Sequence, residues 1–405
     1  MKLQSARSMS LICVLLVTSQ VAATEPAKAP AQKPKGKLTV ITLEGSPYNR
    51  GLVYGKTIKD EFQPQLKRWR ESLREAYKID PDLFVKKFYA KTNYLEAMKR
   101  WTPDLLDEVK GLADGVGVDQ ETMFVFQFVD EYWVNGEDIA AEKCSALGVA
   151  RRGARPAMVA QNLDIDGFND GAQVVLHVKH ADSDLESFVF TPMGMIGANG
   201  MNNHGIGICA NTLAQLSHGR DGLPVACVIR GVLAQKTIEA AIDFLNQIKH
   251  ASGQNYILGG PQSAYSFECS HEKVCRYEPA DGHDLIWHTN HPMANDDYDS
   301  KYRDWLKKNK EKTKTPGNSE TRLECVRSRL QSAGEKVDVD VIKSILASHD
   351  SPKHPVCRPL KAPSDVYTFG STIMVLSDKP ELHIAPGPPD VVPYQVLRFD
   401  QPRSK

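Results

Sequence analysis

The sequence predicts an α+β fold in which two antiparallel sheets are covered by helices. Apolar residues recur at helical spacing up to about residue 130, whereas short segments punctuated by glycine and asparagine follow Cys144. Helical stretches then separate the strand-rich segments, which gives a sheet-helix-sheet order. No internal repeat appears, and the 405 residues suit one large domain or two modest ones.

Ahead of Cys144 the predicted elements are helices over 57–77, 82–89 and 103–116. In the third of these, leucine and valine recur at helical spacing. Asp104 lies in its first turn, where a carboxylate complements the helix dipole, and Gly117 follows its end. This first part of the chain is therefore expected to be mainly helical.

After Cys144 the pattern predicts strands over 145–149, 157–161, 173–178, 187–190 and 206–210. Helices are predicted over 225–233 and 237–248, followed by strands over 255–258, 264–269, 274–278 and 284–292. In the last third of the chain, the pattern predicts charged helices over 301–312, 319–330 and 339–348, and final strands over 366–376 and 382–384.

The N-terminus has the pattern of an export signal. Lys2 and Arg7 precede an apolar run over 11–17, and small residues over 21–23 suit a cleavage site. The run is too short to span a bilayer, although an uncleaved anchor is the alternative. We therefore expect residues 1–23 to be removed, and the mature chain to be exported to a periplasm, the cell exterior or a lumen.

Residues 24–36 are rich in proline, alanine and lysine and predict an extended leader without a core. No later stretch is apolar enough to predict a stable membrane span. Lysine plus arginine and aspartate plus glutamate each number 50, so no overall basic field attracts nucleic acid. A nucleic-acid partner is not expected.

Seven of the eight cysteines remain once Cys13 leaves with the signal (8 − 1 = 7). In an oxidising compartment an odd number directs attention to one functional thiol. Cys269 and Cys275 flank a predicted hairpin turn and are candidates for a disulfide, as are Cys325 and Cys357 across elements. The sequence leaves the connectivity open.

Cys144 stands at the start of the first predicted strand after the helical segment. If the bond between Lys143 and Cys144 is cut, the cysteine gains a free α-amine beside its thiol, so one residue supplies nucleophile and base. An α-amine has a pKa of about 7.7 to 8.0 and accepts a proton near neutrality. For a single cysteine, the ordinary alternative is a buried, inert apolar residue.

Three polar residues further along are candidates to serve this thiol. Asp164 follows a short predicted hairpin, which brings its carboxylate back beside the strand of Cys144, where it would orient the amine. Asn211 and Asn290 end predicted strands and carry amide donors suited to an oxyanion. The alternatives are a turn role for Asp164 and simple capping for the two asparagines.

The spaced motifs resemble one known family. Lys-Cys-Ser at 143–145, Gln-Asn-Leu-Asp at 161–164, Asn-Gly-Met-Asn at 199–202 and Thr-Asn-His-Pro at 289–292 are similar to those of the isopenicillin N (acyl-coenzyme A:6-aminopenicillanate) acyltransferase family, kin to the choloylglycine hydrolases. The likeness begins near residue 44 and covers most of the mature chain.

The resemblance implies a four-layer αββα sandwich of the N-terminal-nucleophile hydrolase type. It also implies autocatalytic cleavage between Lys143 and Cys144, giving a helical prosegment over 37–143 as the α chain and a nucleophile-bearing β chain over 144–405. The two chains are expected to remain associated as one domain.

Carried over residue by residue, the resemblance assigns Asp164 as the carboxylate near the nucleophile and Asn290 as an oxyanion donor. Asn211 matches a second donor of the choloylglycine relatives. The site arginine of the family matches Arg322, with Arg327 as the alternative. Arg322 is expected near Asp164, where its charge would hold the carboxylate ionised.

Two positions depart from the family pattern. Ser145 stands where threonine is common, and Gln161 stands where the choloylglycine relatives carry arginine. The second departure argues against bile-salt specificity. The expected reaction is hydrolysis of linear amides in acylated amines, N-acyl amino acids or peptides, through an acyl-enzyme on Cys144 and without a cofactor. The alternatives are acyl transfer to an amine and an uncleaved, non-catalytic binding protein.

Two other groups of residues suggest different chemistry. Residues 349–357 contain His349, His354 and Cys357, which are metal-ligand types and would make a metal-stabilised binding module. Prolines constrain that segment and no second Cys/His pair has zinc-finger spacing, so no metal is expected. His288 and His291 flank Asn290, but an N-terminal nucleophile needs no histidine base.

Overall fold

The computed structural model describes residues 38–134, 144–181, 183–279, 284–309, 316–362 and 366–399. The predicted export signal, the leader and Lys143 lie outside these residues. Within the described part of the chain, no helix has both the length and the apolar character needed to cross a membrane.

The helices are α1 Pro47–Tyr77, α2 Pro81–Lys91, α3 Tyr94–Trp101, α4 Pro103–Val116, α5 Gln120–Gln127, α6 Val129–Val134, α7 Val225–Leu233, α8 Ile238–Gln247, α9 Ser300–Lys308, α10 Asn318–Ala333 and α11 Val339–Leu346. The strands are β1 Thr39–Leu43, β2 Ser145–Val149, β3 Ala157–Asp166, β4 Gln173–Lys179, β5 Glu186–Pro192, β6 Asn199–Asn202, β7 Gly207–Thr212, β8 Gln254–Gly259, β9 Ala264–Cys269, β10 Val274–Tyr277, β11 Leu285–His288, β12 Val366–Leu376, β13 Glu381–Ala385 and β14 Gln395–Arg398.

The strands form two sheets that face each other. One sheet has eight strands in the order β1-β4-β5-β6-β7-β8-β9-β10, and the other has six in the order β11-β2-β3-β12-β13-β14. Strands β2 and β3 pack on β7 and β8 across the interface. The approach is close, because a Cβ added at Gly148 would lie 2.9 Å from the Ala264 Cβ in the opposite sheet.

Helices cover both outer faces. α7 packs on β6 and β7 of the eight-stranded sheet, while α10 packs on β2 and β11, and α11 on β3 and β12, of the six-stranded sheet. Val326, Leu330 and Ile342 of these last two helices join a buried apolar cluster with Leu147 and Ile373 of the sheet. The structure therefore confirms the predicted α+β class and the four-layer αββα order.

The first helix begins ten residues before its predicted start at residue 57. Gly51 and Gly55 of α1 lie against Gly111 and Gly115 of α4, where a Cβ at Gly51 would come within 1.8 Å of the Glu108 carbonyl oxygen. These glycines resemble turn residues in the sequence, but here they let two helix backbones touch. The prediction was wrong because this packing outweighs the low helix propensity of glycine.

One strand that the periodicity did not predict lies in the first part of the chain. Strand β1 pairs in parallel with β4 at the edge of the larger sheet, from Thr39 beside Val174 to Leu43 beside Val178. The prediction of purely antiparallel sheets is corrected at this edge. As a result, the segment before Cys144 contributes a strand to a sheet made otherwise of later residues.

Neither suggested disulfide forms, because all seven cysteines from Cys144 onward are free. In the β9–β10 hairpin, Cys269 lies opposite Val274 and Cys275 opposite Glu268. Since neighbouring residues of a strand point to opposite faces, the two thiols are on different sides of the sheet. Cys357 instead contacts the Asp390 carboxylate, at 3.2 Å from Sγ to Oδ1.

A buried ion cluster joins the first part of the chain to α7. Glu108 of α4 accepts from the Arg50 Nε of α1 at 3.0 Å and from the Arg230 Nη1 of α7 at 2.7 Å. Arg230 also donates to the Ile196 carbonyl at 3.1 Å. Burial opposes ionisation of Glu108, but the two guanidiniums prevail and lower the pKa of this carboxyl below its ordinary value.

We expect Glu108→Gln to lower the free energy of unfolding by about 3 to 5 kcal/mol, because two buried guanidiniums lose their counter-charge. Glu324→Gln removes the partner of Arg327 on the exposed face of α10 and should cost about 0 to 1 kcal/mol. Urea unfolding of both variants tests this. Equal losses of unfolding free energy in the two variants would show that burial does not determine how much the ion cluster stabilises the fold.

Candidate active site

Cys144 lies immediately before β2, at the end of a central strand of the six-stranded sheet. Its backbone nitrogen donates to the Asn290 Oδ1 at 2.7 Å, and its carbonyl oxygen accepts from the Arg322 Nη1 at 2.5 Å. Its thiol donates to the Asp164 carbonyl, with 3.8 Å between Sγ and O. The nitrogen, the carbonyl and the sulfur of this one residue are thus each held by a different element.

Arg322 is the fully buried hub of these contacts. From α10 it donates through Nη1 to the Ser145 Oγ at 2.9 Å, through Nη2 to the Asn290 Oδ1 at 3.0 Å, and through Nε to the Asn318 Oδ1 at 2.7 Å. Arg327, one to two turns further along, pairs with Glu324 at the surface. Of the two arginines matched from the sequence, Arg322 is the one that reaches Cys144.

The loop after β11 positions Asn290. The Ser319 Oγ at the start of α10 accepts from the Asn290 backbone nitrogen at 2.7 Å, and the Asn290 Nδ2 donates to the Thr212 carbonyl at 3.0 Å. His291 contacts the same Ser319 hydroxyl, while His288 contacts Glu268 at 2.8 Å. The two histidines that flank Asn290 therefore brace the loop.

Asp164 lies inside β3, opposite Thr368 of β12, so the turn alternative is wrong. Its Oδ1 accepts from the Thr368 Oγ1 at 2.7 Å, and its Oδ2 lies 3.4 Å from the Arg358 Nε. Arg358 is a site residue that the sequence reasoning missed. It follows Cys357 in an irregular segment without periodicity, and only the fold brings it to Asp164.

Arg322 was expected near Asp164, and its charge does favour ionisation of that carboxyl. The guanidinium of Arg358, which the sequence reasoning did not consider, also lies beside the carboxylate and favours its ionisation. Burial raises the pKa of Asp164 to about 6, against the opposing effects of Arg358, Arg322 and the Thr368 hydroxyl. The carboxylate is therefore mostly ionised at neutral pH, although the fold makes it easier to protonate.

The pKa of the Cys144 thiol is also raised. Burial raises the pKa of Cys144 to about 12, and the neighbouring Asp164 charge adds to the effect. A free thiolate of Cys144 is therefore rare at neutral pH.

Asn211 presents an unused amide donor. Its Oδ1 accepts from the Asn255 Nδ2 at 3.2 Å, whereas its buried Nδ2 has no hydrogen-bond partner among the described residues. Asn211 shares a face of β7 with Cys209, whose Sγ lies 4.0 Å from the Ala160 carbonyl in the opposite sheet. The unpaired amide therefore faces the sheet that carries Cys144.

Gln161 forms a neutral bridge between the two sheets. From β3, its Nε2 donates to the Ala210 carbonyl of β7, and its Oε1 accepts from the Asn199 Nδ2 of β6 at 2.8 Å. Both of its polar atoms are satisfied by the opposite sheet. The position therefore adds no charge beside Cys144.

A cavity of about 960 Å³, including its open mouth, lies beside Cys144. Its wall combines the start of the six-stranded sheet with α1, α5, α6 and α7 and includes Trp69, Phe126, Trp133, Phe168 and Met195. Three carboxylates, from Asp130, Asp164 and Asp166, also line it. Among the described lining residues there is no lysine, arginine or histidine.

Two facing sheets with outer helices define an αββα fold. A buried cysteine that lies just before an inner strand and lines a cavity gives this fold an enzyme-like site. A family profile described as acyl-coenzyme A:6-aminopenicillanic acid acyl-transferase matches residues 151–377, more than half of the chain. The chain belongs to this family, which confirms the resemblance found in its motifs and its class as an acyltransferase or hydrolase. The match begins just after Cys144 and includes Asp164, Asn211, Asn290 and Arg322.

Solved structures give more distant matches. A mutant of the conjugated bile acid hydrolase from Clostridium perfringens is 12% identical with a TM-score of 0.42, over 63% of this chain and 97% of that one. Penicillin V acylase from Agrobacterium tumefaciens is 13% identical with a TM-score of 0.41, over 64% and 86% of the two chains. A search of curated proteins found no match.

The raised pKa of Asp164 gives a prediction for stability. The folded protein holds this proton more tightly than the unfolded chain does, so the Asp164 contribution to stability is lost as pH rises from about 4 to about 6. Asp164→Asn should therefore gain stability relative to wild type across this window, by up to about 3 kcal/mol for a shift of about two units. Urea unfolding at pH 4.5 and 7.5 measures the gain.

Asp296→Asn is the matched control with the opposite sign. The hydrogen bond from Lys273 lowers the pKa of Asp296, so its stabilising effect is present at neutral pH and fades as pH falls through the folded pKa. This variant should lose stability relative to wild type as pH rises. Both variants and their parent carry Cys144→Ala, so that this thiol cannot react during the measurement, and equal signs would contradict the assignment for Asp164.

Proposed function

We propose that this chain is a self-processing cysteine amidohydrolase in which Cys144 becomes the N-terminal nucleophile of a β chain. The observation that carries the proposal is the set of separate contacts that hold the nitrogen, carbonyl and thiol of Cys144 beside an apolar cavity. A structural cysteine would not need its backbone nitrogen and carbonyl held by the side chains of Asn290 and Arg322.

Processing begins when the thiol attacks the Lys143 carbonyl carbon. The peptide bond to the Cys144 nitrogen breaks, the nitrogen takes a proton, and a thioester joins the prosegment to the sulfur. Water then hydrolyses the thioester, which frees the Lys143 carboxylate, the thiol and the new α-amine. The hydrogen bond from the Cys144 nitrogen to Asn290 supports this order, because it already fixes the nitrogen that becomes the base.

The new α-amine then serves as the general base for substrate. The reference pKa of an α-amine is about 7.7 to 8.0. The Arg322 guanidinium donates to the same Asn290 oxygen as the Cys144 nitrogen, and its positive charge favours the neutral form of the amine. The amine removes the thiol proton, the sulfur forms an acyl-enzyme, and the amine returns the proton to the leaving nitrogen. Water releases the acyl group by the same steps.

Asn211 is the better oxyanion donor of the two asparagines carried over from the family. The Asn290 amide nitrogen already donates to the Thr212 carbonyl, whereas the Asn211 amide nitrogen is buried without a partner among the described residues. An unsatisfied buried donor costs about 1 to 3 kcal/mol in the resting protein, a cost that an oxyanion would offset. Asn290 serves chiefly to position the Cys144 nitrogen.

We expect Asn211→Asp to lower kcat of the processed enzyme about 100- to 1000-fold, because it removes the free donor and keeps the shape. Asn246→Asp is the control, since the same change is made at an exposed side chain of α8 that lies outside the site. The kcat for an anilide of a straight-chain fatty acid measures both. Loss confined to KM in Asn211→Asp would remove this residue from the oxyanion site.

The cavity favours particular substrates. Its aromatic and aliphatic wall suits an apolar acyl group, as the burial of apolar surface contributes about 25 cal/mol per Å². The three lining carboxylates and the neutral Gln161 disfavour an anionic leaving group near the thiol. We therefore place acylated amines without a nearby negative charge ahead of N-acyl amino acids and peptides as substrates.

Water is the proposed acceptor because the N-terminal pattern predicts export, and an exported enzyme meets little acyl-coenzyme A. The family is described as an acyl-transferase, so acyl transfer to an amine is the second candidate. Both share the same acyl-enzyme and differ only in the acceptor. Product analysis with competing amines separates them.

The intact mass of the purified protein tests the whole proposal. Wild type should yield two chains that break between Lys143 and Cys144, because the thiol performs its own cleavage. Cys144→Ala should remain one chain, while Cys227→Ala, which changes another buried thiol, should process normally. A whole wild-type chain after full folding would leave the uncleaved binding protein as the function.

A further inference from the structure

A second cluster of reactive side chains lies outside the cavity of Cys144. His349 and Cys357 follow α11, and Asp390 lies in the turn before β14. The Cys357 Sγ lies 3.2 Å from the Asp390 Oδ1, and the His349 Nε2 lies 3.0 Å from the Asp390 Oδ2. One ligand atom from each of the three side chains falls within 4.8 Å of the others.

Backbone hydrogen bonds hold the cluster from both sides. The Cys357 nitrogen donates to the Ser348 carbonyl at 3.1 Å, which closes the loop between them. The Val391 and Val392 nitrogens donate to the Pro388 carbonyl at 3.1 and 2.9 Å, which fixes the turn around Asp390. The three side chains therefore come together without relying on a bound ligand.

The donor set suits one class of cation. Thiolate sulfur, imidazole nitrogen and carboxylate oxygen together are typical ligands of Zn²⁺. Bonds of about 2.0 to 2.3 Å at tetrahedral angles separate neighbouring ligand atoms by about 3.3 to 3.7 Å. The Cys357 and His349 contacts reach different oxygens of Asp390, and the three ligand atoms lie within 4.8 Å of one another, so side-chain rotation has to bring them to these separations. Three protein ligands leave a fourth position for water.

The charges also balance. A divalent cation would release the thiol proton to solvent and meet one thiolate and one carboxylate, which together cancel its charge. Without the cation, the protonated thiol donates to Asp390 instead.

We propose that His349, Cys357 and Asp390 form a zinc site that ties the loop after α11 to the turn before β14. The site is separate from the cavity and does not rest on the proposed function. It also changes the interpretation of residues 349–357, where zinc-finger spacing was absent. The third ligand is a carboxylate 33 residues beyond Cys357 in the chain, which no local spacing rule would find.

The test is a titration of the chelator-treated full chain carrying Cys144→Ala, which removes the reactive thiol of the cavity. Calorimetry with Zn²⁺ should give one equivalent per chain, and Co²⁺ should give a thiolate-to-metal charge-transfer band. His349→Ala and Asp390→Asn should each weaken Zn²⁺ binding at least about tenfold, since even partners of metal ligands are worth that much.

Cys325→Ser is the control, because it alters a half-buried thiol of α10 outside the cluster and should leave binding unchanged. His349 and Asp390 have partly exposed side chains, so their variants should fold. Cys357→Ser should abolish the charge-transfer band. The proposal is overturned if the parent chain binds no Zn²⁺, or if the His349 and Asp390 variants bind it as tightly as the parent does.

Discussion

The buried guanidinium of Arg322 is the contact on which the rest of the site depends. It joins the start of β2, the loop after β11 and the start of α10 through four hydrogen bonds. A planar group with five donors in a fixed fork is suited to hold several acceptors at set angles. The positive charge of Arg322 lowers the pKa of the Cys144 thiol, although burial and the Asp164 charge outweigh this effect.

The segment before Cys144 is built into the same fold as the segment after it. Strand β1 extends the larger sheet, Glu108 neutralises Arg230 of α7, and Glu131 of α6 accepts from the Val225 nitrogen at the start of α7 at 2.9 Å. Burial raises the pKa of Glu131 to about 8, so this carboxyl is mostly neutral at pH 7 and tolerates its position. A cut before Cys144 would leave all of these contacts in place, which supports chains that stay associated.

The sequence predicted elements best where local signals and packing agree. Helix α4 has the predicted bounds because proline starts it and Gly117 ends it in a left-handed conformation, and strands β2 and β12 also match. The sequence-based prediction was wrong where contacts between distant residues decide the structure, as at the glycines of α1 and at strand β1. The same limit applies to the candidate site: the position of Cys144 in the chain made it a candidate, whereas Arg358 and the free donor of Asn211 depend on pairings across the fold.

The Asp164 carboxylate beside Cys144 depends on a chain of contacts that leads away from the cavity. Thr368 donates to Asp164 and also holds Arg358, whose nitrogen donates to the Thr368 Oγ1 at 2.9 Å and whose carbonyl accepts from the Thr368 nitrogen at 3.0 Å. Arg358 directly follows Cys357, which contacts Asp390. An interaction that holds Cys357 in place therefore also holds the backbone of Arg358, whose side chain lies beside Asp164. The charge of the site is thus set partly by a loop that does not line the cavity.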